Sequence, residues 1–443
     1  MSDDSLTCEL LVIGAGMAGM TAAGRAAEMG ARVIVIEKAA SIGGSAALSL
    51  GYLWTATSAE QLSYEDNGDP RLHRVVTDTY PDLMRWLRRR GVHVGVPQAV
   101  MFGRGYKIDV LGHLRQCAVD VEKAGGRVAP ETHIVRLTTS GRRVTGAIAE
   151  HGDGTVAIEA GHVLLATGGY QGSPDFRAQY IHAAARDMYL RSNSHSVGDG
   201  LRLGIAAGGT HAGPNPGFYG HLIASPVRLE QPADFVPLTQ YQSEHAVLLN
   251  EAGRRFVDES RGDYENTQHT LRQPRARALL VWDEWVQREV VLRPRVIGTE
   301  PVDRFAVAIA AGAKGARLEH MTGLKSFAES IGCDGAVALE TLATYDAAMA
   351  GWPEAIRPSR VMNARPLSVP PFYALEVRPG VTFTYGGLAV DEHARALDPA
   401  GEPVPGLLVA GADAGNIYRS GYAGGLAMAG TFGFRAAMQV RAI

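Results

Sequence analysis

The sequence predicts an α/β protein of two domains, the first of them a dinucleotide-binding sheet of parallel strands. Three observations carry this. A strand, a glycine turn, a helix and a second strand follow one another at the amino terminus; glycine-punctuated strand sequence returns near residue 403; and 443 residues exceed what one hydrophobic core usually serves. The composition, 46% hydrophobic and 20% charged, is that of an ordinary globular chain. A net charge of −3 and a pI near 6.5 exclude a broadly basic nucleic-acid footprint. The run "RWLRRRG" at 85–91 reads as the solvated end of an amphipathic helix. Cys8, Cys117 and Cys333 lack the spacing of a metal site or redox pair, so no metal is expected and a reducing cytoplasm fits. The start "MSDDSLTCEL" is acidic where a secretory signal would be basic, and no apolar run is long enough for a membrane helix. A cytoplasmic protein with no membrane span is expected.

In chain order, "LLVI" at 10–13 reads as a buried strand and "MAGMTAAGRAAEMG" as the helix after it. Between them lies "GAGMAG": Gly14 for the tight turn, Gly16 for backbone approach to a pyrophosphate, Gly19 for close packing of helix on strand. The exposed N–H groups of the helix start attract the diphosphate. The second strand, "RVIVIEK", ends in Glu37, 18 residues beyond Gly19, where an acceptor for a ribose hydroxyl belongs. "KAASIGGSAALSLGYLW" then supplies a second glycine turn, and "GHVLLATGG" at 161–169 another strand ending in glycines. Together with "PVPGLLVAG" at 403–411 these favour FAD over NAD. "HAGPNPG" at 211–217 is turn-rich and 301–350 is mostly helical in pattern.

The pieces "VIGAGMAGMTAA", "EKAASIGGS", "VLLATGGY", "SVGDGLRLGIAAGG", "LLNEAGRRFVDES", "TYGGLAVD" and "PVPGLLVAGADAG...YAGGLAMAGTFGFRAA" resemble, in order, the fumarate reductase and succinate dehydrogenase flavoprotein family. The resemblance implies a Rossmann-like FAD-binding domain of the GxGxxG type, formed by 1–213 and 366–443, with an inserted α+β cap domain at 214–365. It implies FAD contacts from Gly14, Gly16, Ala18, Gly19, Glu37, Lys38, Gly43, Gly44 and Ser45, from Thr167, Gly168 and Asp199, and from Gly411, Asp413, Gly424, Gly425 and Leu426. The family's glutamate after the first Ala-Gly is Ala412 here, with Asp413 next to it. Ser45, Ala46 and Ala47 stand after the glycine pair with no histidine, so the FAD is expected to be noncovalent.

The segment "AGADAGNIYRSGYAGGLAMAG", 410–430, bears on substrate. Relatives that reduce dicarboxylates hold the carboxylate with a histidine and an arginine where this chain has Tyr418 and Tyr422. Gln242 lies nearest the place of their proton-delivering arginine. A tyrosine before the last glycines resembles 3-ketosteroid dehydrogenases and tricarballylate-dehydrogenase-like members. There the phenol donates to a substrate carbonyl, and donors aimed at a developing enolate oxygen stabilise it. The resemblance implies Tyr422 or Tyr418 as donor, Tyr264 as base, His221 near the substrate, and Arg419 as a carboxylate anchor or a cation tuning a phenol. The expectation is an FAD-dependent oxidoreductase acting on the Cα–Cβ bond beside a carbonyl, most simply of a cyclic ketone, with an external electron acceptor or donor. The alternatives are a tricarballylate-like acid dehydrogenase and a flavin-binding redox partner without turnover of its own.

Overall fold

Strand β1 (Leu6–Ile13) has Leu10, Leu11, Val12 and Ile13 all buried, as a strand covered on both faces requires. The structure is a computed structural model that describes residues 6–152, 154–294 and 300–440; the acidic residues 1–5 of the start read above lie outside them. β1 pairs in parallel with β2 (Val33–Ile36) and, on its other side, with the strand Gly154–Leu165. Pro403–Val409 joins beside Gly154–Leu165, also in parallel, and Arg127–Ala129 beside β2. Ile36, Ile13, Leu165 and Val409 therefore lie abreast, and the turns that follow them share one edge of the sheet. Ligands of open parallel sheets bind beyond that carboxyl edge. The antiparallel hairpin Thr132–Ser140/Arg143–His151 extends the sheet, which makes it mixed.

Helix α1 (Met17–Glu28) buries ten of its twelve residues, almost all Ala, Gly or Met. Small residues are required because backbones come close. A Cβ on Gly19 would stand 1.9 Å from the Gly14 carbonyl oxygen, and one on Gly433, in the helix Gly425–Ala437, 2.2 Å from that of Ala18. The helix carrying "RWLRRRG" runs from Pro70 to Arg89 with Arg85, Arg88 and Arg89 exposed.

By internal contacts the chain forms two compact units, one of 1–181, 192–218 and 383–443 and one of 182–191 and 219–382. Where the sequence suggested an insertion ending at 365, the second unit runs on because the strand Phe372–Thr384 pairs antiparallel with Ala278–Asp283 and Gly315–Leu318. Alternation along Ala278–Asp283 supplies two cores: Leu280 and Trp282 pack with Leu222 and Leu375, while Leu279 and Val281 pack with Leu324 and Leu342. The helical pattern of 301–350 becomes the helices Arg304–Ala310, Gly323–Ser330 and Gly335–Ala350. Among the described residues no helix is long and apolar enough to cross a membrane.

Candidate active site

The first unit holds all the residues expected to bind FAD. Gly14, at φ +105°, turns so tightly against the neighbouring strand end that a Cβ would lie 2.2 Å from the Ala166 carbonyl oxygen. Gly16 differs: a Cβ there would meet only the Gly43 carbonyl oxygen, at 3.9 Å. Among the described residues nothing crowds position 16, which leaves its backbone open to whatever approaches the helix start. Gly16 caps α1 without any side-chain hydrogen bond or acidic residue in the first turn, which leaves the first N–H groups for an anion. Gly424 likewise starts Gly425–Ala437 with no side-chain cap. The glycine pair is drawn in by Gly43 N–H donating to the Ala15 carbonyl at 2.9 Å, and Gly44 faces Gly16. Ser45 lies 3.4 Å from Ser192. Two buried acceptors, Gln171 Oε1 and Thr55 Oγ1, have no partner among the described residues. Uncapped helix starts, a cradle open at Gly16 and orphaned acceptors fit a dinucleotide.

The acidic contacts are more internal than the sequence suggested. Glu37 accepts from Ala15 N–H and Ala39 N–H, both at 2.8 Å, which fixes it at the end of β2. Lys38 is paired with Asp199 at 2.6 Å. Asp413, read above as an FAD contact, is 1% exposed and turned into the protein, accepting from the Thr167 backbone N–H and hydroxyl. Burial pushes the Asp413 carboxyl up to about 7, against the Thr167 hydrogen bonds, with Asp199 adding to the rise and Lys38 opposing it. Between the unfolded value near 4 and this value the native state holds a proton that the unfolded chain has lost, so stability falls as pH rises from about 4 to 7. Asp413→Asn is expected to flatten that slope, read as Tm against pH.

The terminal loop in this unit is anchored by a residue that sequence reasoning missed. Asp66, 2% exposed, accepts from the backbone N–H groups of Arg419, Ser420 and Gly421 at 2.8, 2.7 and 2.6 Å and from that of Gly68 at 2.7 Å. His73 Nε2 lies 3.1 Å from the same carboxylate and 2.9 Å from the Ile417 carbonyl oxygen, with Ser63 at its Nδ1. Burial works to raise the Asp66 carboxyl, but hydrogen bonds from His73 and the three loop N–H groups outweigh it and hold it below its ordinary value.

The two tyrosines of this loop are not equivalent. Tyr418 is 1% exposed and donates to the Gly424 carbonyl at 3.3 Å; burial, then Tyr422 and Asp66, push its phenol well above 10. The Tyr418 hydroxyl is thus engaged by the backbone of its own loop. Tyr422 is half-buried, and its oxygen accepts from Gly425 N–H at 3.1 Å, at the uncapped helix start. Trp54, Phe383 and Tyr418 surround its ring at 5.5, 5.8 and 6.2 Å. Arg419 is exposed, its guanidinium 3.4 Å from the Pro214 carbonyl oxygen.

In the second unit, His221 lies on the strand Phe218–Ala224 with Nδ1 2.7 Å from Asp263, both residues buried. Asp263 and Tyr264 open the helix Asp263–Leu271, and Tyr264 is 7% exposed. Tyr219 and Tyr241 stand edge-on to His221 at 4.9 and 5.1 Å. Gln242, where an arginine was considered, is buried and donates to Gln240.

Comparison with known proteins accords with this geometry. The FAD binding domain family matches residues 112–431, and the FAD dependent oxidoreductase family matches 9–169. The fumarate reductase (cytochrome) of Shewanella frigidimarina is 26% identical over 456 residues, covering 96% of this chain and 76% of its own. The 4-oxocyclohexanecarboxylate 2-dehydrogenase of Sinomonas cyclohexanicum is 26% identical over 536 residues, covering 94% and 89%. The solved 3-ketosteroid delta1-dehydrogenase of Sterolibacterium denitrificans has the same fold, with a TM-score of 0.78 at 18% identity over 99% of this chain and 100% of that one. The glycine cradle and the uncapped helix starts thus have their explanation in a family match spanning most of the sequence: the chain belongs to the FAD binding domain family and is an FAD-dependent oxidoreductase.

Proposed function

We propose that this enzyme adds or removes hydrogen across a Cα–Cβ bond beside a carbonyl, with a cyclic ketone as the core of the substrate. The observation that carries the reading is the placing of Tyr422 at the uncapped start of Gly425–Ala437, its oxygen accepting from Gly425 N–H. A phenol that accepts from a backbone N–H becomes a stronger donor through its own O–H, the polarisation a ketone needs to acidify its α carbon. Bound FAD supplies the redox step, accepting or giving a hydride at the β carbon. The aromatic wall of Trp54 and Phe383 excludes water around the Tyr422 hydroxyl and strengthens its hydrogen bonding. Tyr264 carries the α proton in this reading, and His221, held by Asp263, orients the carbonyl compound. The name of the oxocyclohexanecarboxylate dehydrogenase is in keeping with this choice, and Tyr418 and Tyr422, where dicarboxylate-reducing relatives carry a histidine and an arginine, favour it over fumarate.

The deciding experiment is an anaerobic flavin spectrum titrated with cyclic ketones and, after dithionite reduction, with the matching enones. Bleaching or reoxidation is expected; inertness in both directions would leave a tricarballylate-like acid dehydrogenase or a flavin-binding redox partner. Tyr422→Phe is expected to lower kcat by about 10²- to 10³-fold with FAD retained, whereas Tyr418→Phe is expected to change kcat by about twofold or less and cost about 1 kcal/mol of stability. Equal losses of kcat in the two variants would refute the assignment. FAD is held here without a covalent bond in this reading, so acid precipitation should leave all the yellow colour in the supernatant.

A further inference from the structure

The second unit contains a positive charge that no carboxylate among the described residues neutralises. Arg191, half-buried, donates from Nε to Thr239 Oγ1 at 3.0 Å and the Phe235 carbonyl at 3.4 Å, from Nη1 to Thr382 Oγ1 at 3.3 Å and from Nη2 to the Tyr241 hydroxyl at 2.9 Å. Every one of these acceptors is neutral. Among the described residues no carboxylate lies within ion-pair distance of it. Asp263 is engaged by His221, across whose ring stands Tyr241. Four other arginines of this unit stand on carboxylates: Arg255 and Arg360 share Glu259, Arg277 lies on Glu251, and Arg365 lies on Asp283, while the buried Arg304 donates to the Val291 carbonyl and stands over the Tyr241 ring. Removing a guanidinium from water without a counter-charge costs several kcal/mol, and its neutral partners offset only part of that. Such a charge persists where a ligand completes it. The fork has five N–H groups, of which these bonds use three, leaving one on each terminal nitrogen to face an anion.

We propose that Arg191 is the anion subsite of this enzyme and takes a carboxylate carried by the substrate, so that the substrate class is a cyclic keto acid. The proposal rests on the ketone reading for the cyclic ketone part of the ligand, and Arg191 and the partners named above all lie within the second unit. It also moves the anchoring role away from Arg419, whose exposed guanidinium has water to satisfy it. Tyr241 links the subsite to His221: its hydroxyl accepts from Arg191 and its ring lies edge-on to the imidazole, so the carboxylate end and the His221–Asp263 pair are held in one fixed geometry.

The test uses FAD-loaded protein and two probes: cyclohexanecarboxylate, which carries the acid without the ketone, and cyclohexanone, which carries the ketone without the acid. The acid is followed by the shift it causes in the visible band of the oxidised flavin, the ketone by anaerobic bleaching, in wild type, Arg191→Gln and Arg191→Lys. Arg191→Gln is expected to weaken the acid about 10- to 100-fold. Arg191→Lys keeps the charge but not the fork and should fall between. The KM for cyclohexanone should stay within about twofold of wild type. Failure of wild type to bind the acid, equal affinity in wild type and Arg191→Gln, or an equal loss for both probes overturns the proposal. If cyclohexanone fails to bleach wild type while the acid binds through Arg191, the ketone reading falls and the anion subsite stands. Should Arg191→Gln lose its FAD, Arg191→Lys against wild type decides, with unchanged acid affinity and unchanged fork dependence counting against it.

Discussion

Asp66→Ala is expected to destabilise the protein by about 3–5 kcal/mol, because it leaves His73 and the loop N–H groups buried without an acceptor. Asp66→Asn should be milder in stability yet still damaging in catalysis. Its amide presents one oxygen to N–H groups that now share two, and its NH2 faces donors rather than acceptors. Since residues 417–421 carry the tyrosine pair into place, kcat should fall at least tenfold while FAD affinity changes little. The pH dependence has a definite sign. The folded carboxyl is held below its ordinary value, so its stabilisation is complete above the unfolded value near 4 and is lost as pH falls through the lower folded value. The Tm difference between wild type and Asp66→Asn should therefore be constant from neutrality down to about pH 5 and narrow below about pH 4. A difference that grew on acidification would refute the anchor.

Two glycines five residues or fewer from β1 should fail in opposite ways. Gly19→Ala places a Cβ 1.9 Å from the Gly14 carbonyl oxygen and 3.0 Å from Val12, so helix and strand must part and the first unit should not fold. Gly16→Val meets no such obstacle: the backbone at 16, φ −83° and ψ −167°, is extended and open to any residue. That variant should fold with the Tm of the wild-type apoprotein and bind FAD at least about 100-fold more weakly, as its branched side chain fills the approach to the helix start. Fluorescence of released flavin and calorimetry separate the two outcomes. A Gly16→Val protein that kept full FAD affinity would show the cradle to be misplaced.

What could be read in the sequence follows from the range of the interactions. Gly14, Gly16, Gly19 and Glu37 act over a few tens of residues, so their spacing carries their meaning, and β1, α1 and β2 appear where it puts them. Asp66 could not be found that way. Its partners in the terminal loop lie more than 350 positions away, and a lone aspartate before Asn-Gly reads as a turn. Tyr418 and Tyr422 stand four apart in one loop, and nothing local says which turns inward; the direction is set by Gly424 and Trp54. Asp413 reads as a cofactor contact because it stands next to Ala412, at the place of the family's glutamate, whereas in the fold its carboxylate accepts from the Thr167 hydroxyl, 246 positions away. Tyr189–Leu190, a two-residue strand on Gly380 and Val381, has no pattern to detect and nonetheless brings Arg191 into the second unit.

The parallel strand Pro403–Val409, lying beside Gly154–Leu165, also fixes an order of events during translation. All of 219–382 precedes that strand in the chain and so leaves the ribosome before it. The second unit can thus finish folding while the first still lacks a neighbour for one of its central strands. Its anchored loop 417–421 and the helix Gly425–Ala437 emerge later still. Cofactor loading is consequently expected to be a late event, and a released chain ending at residue 402 should carry a folded middle and no flavin.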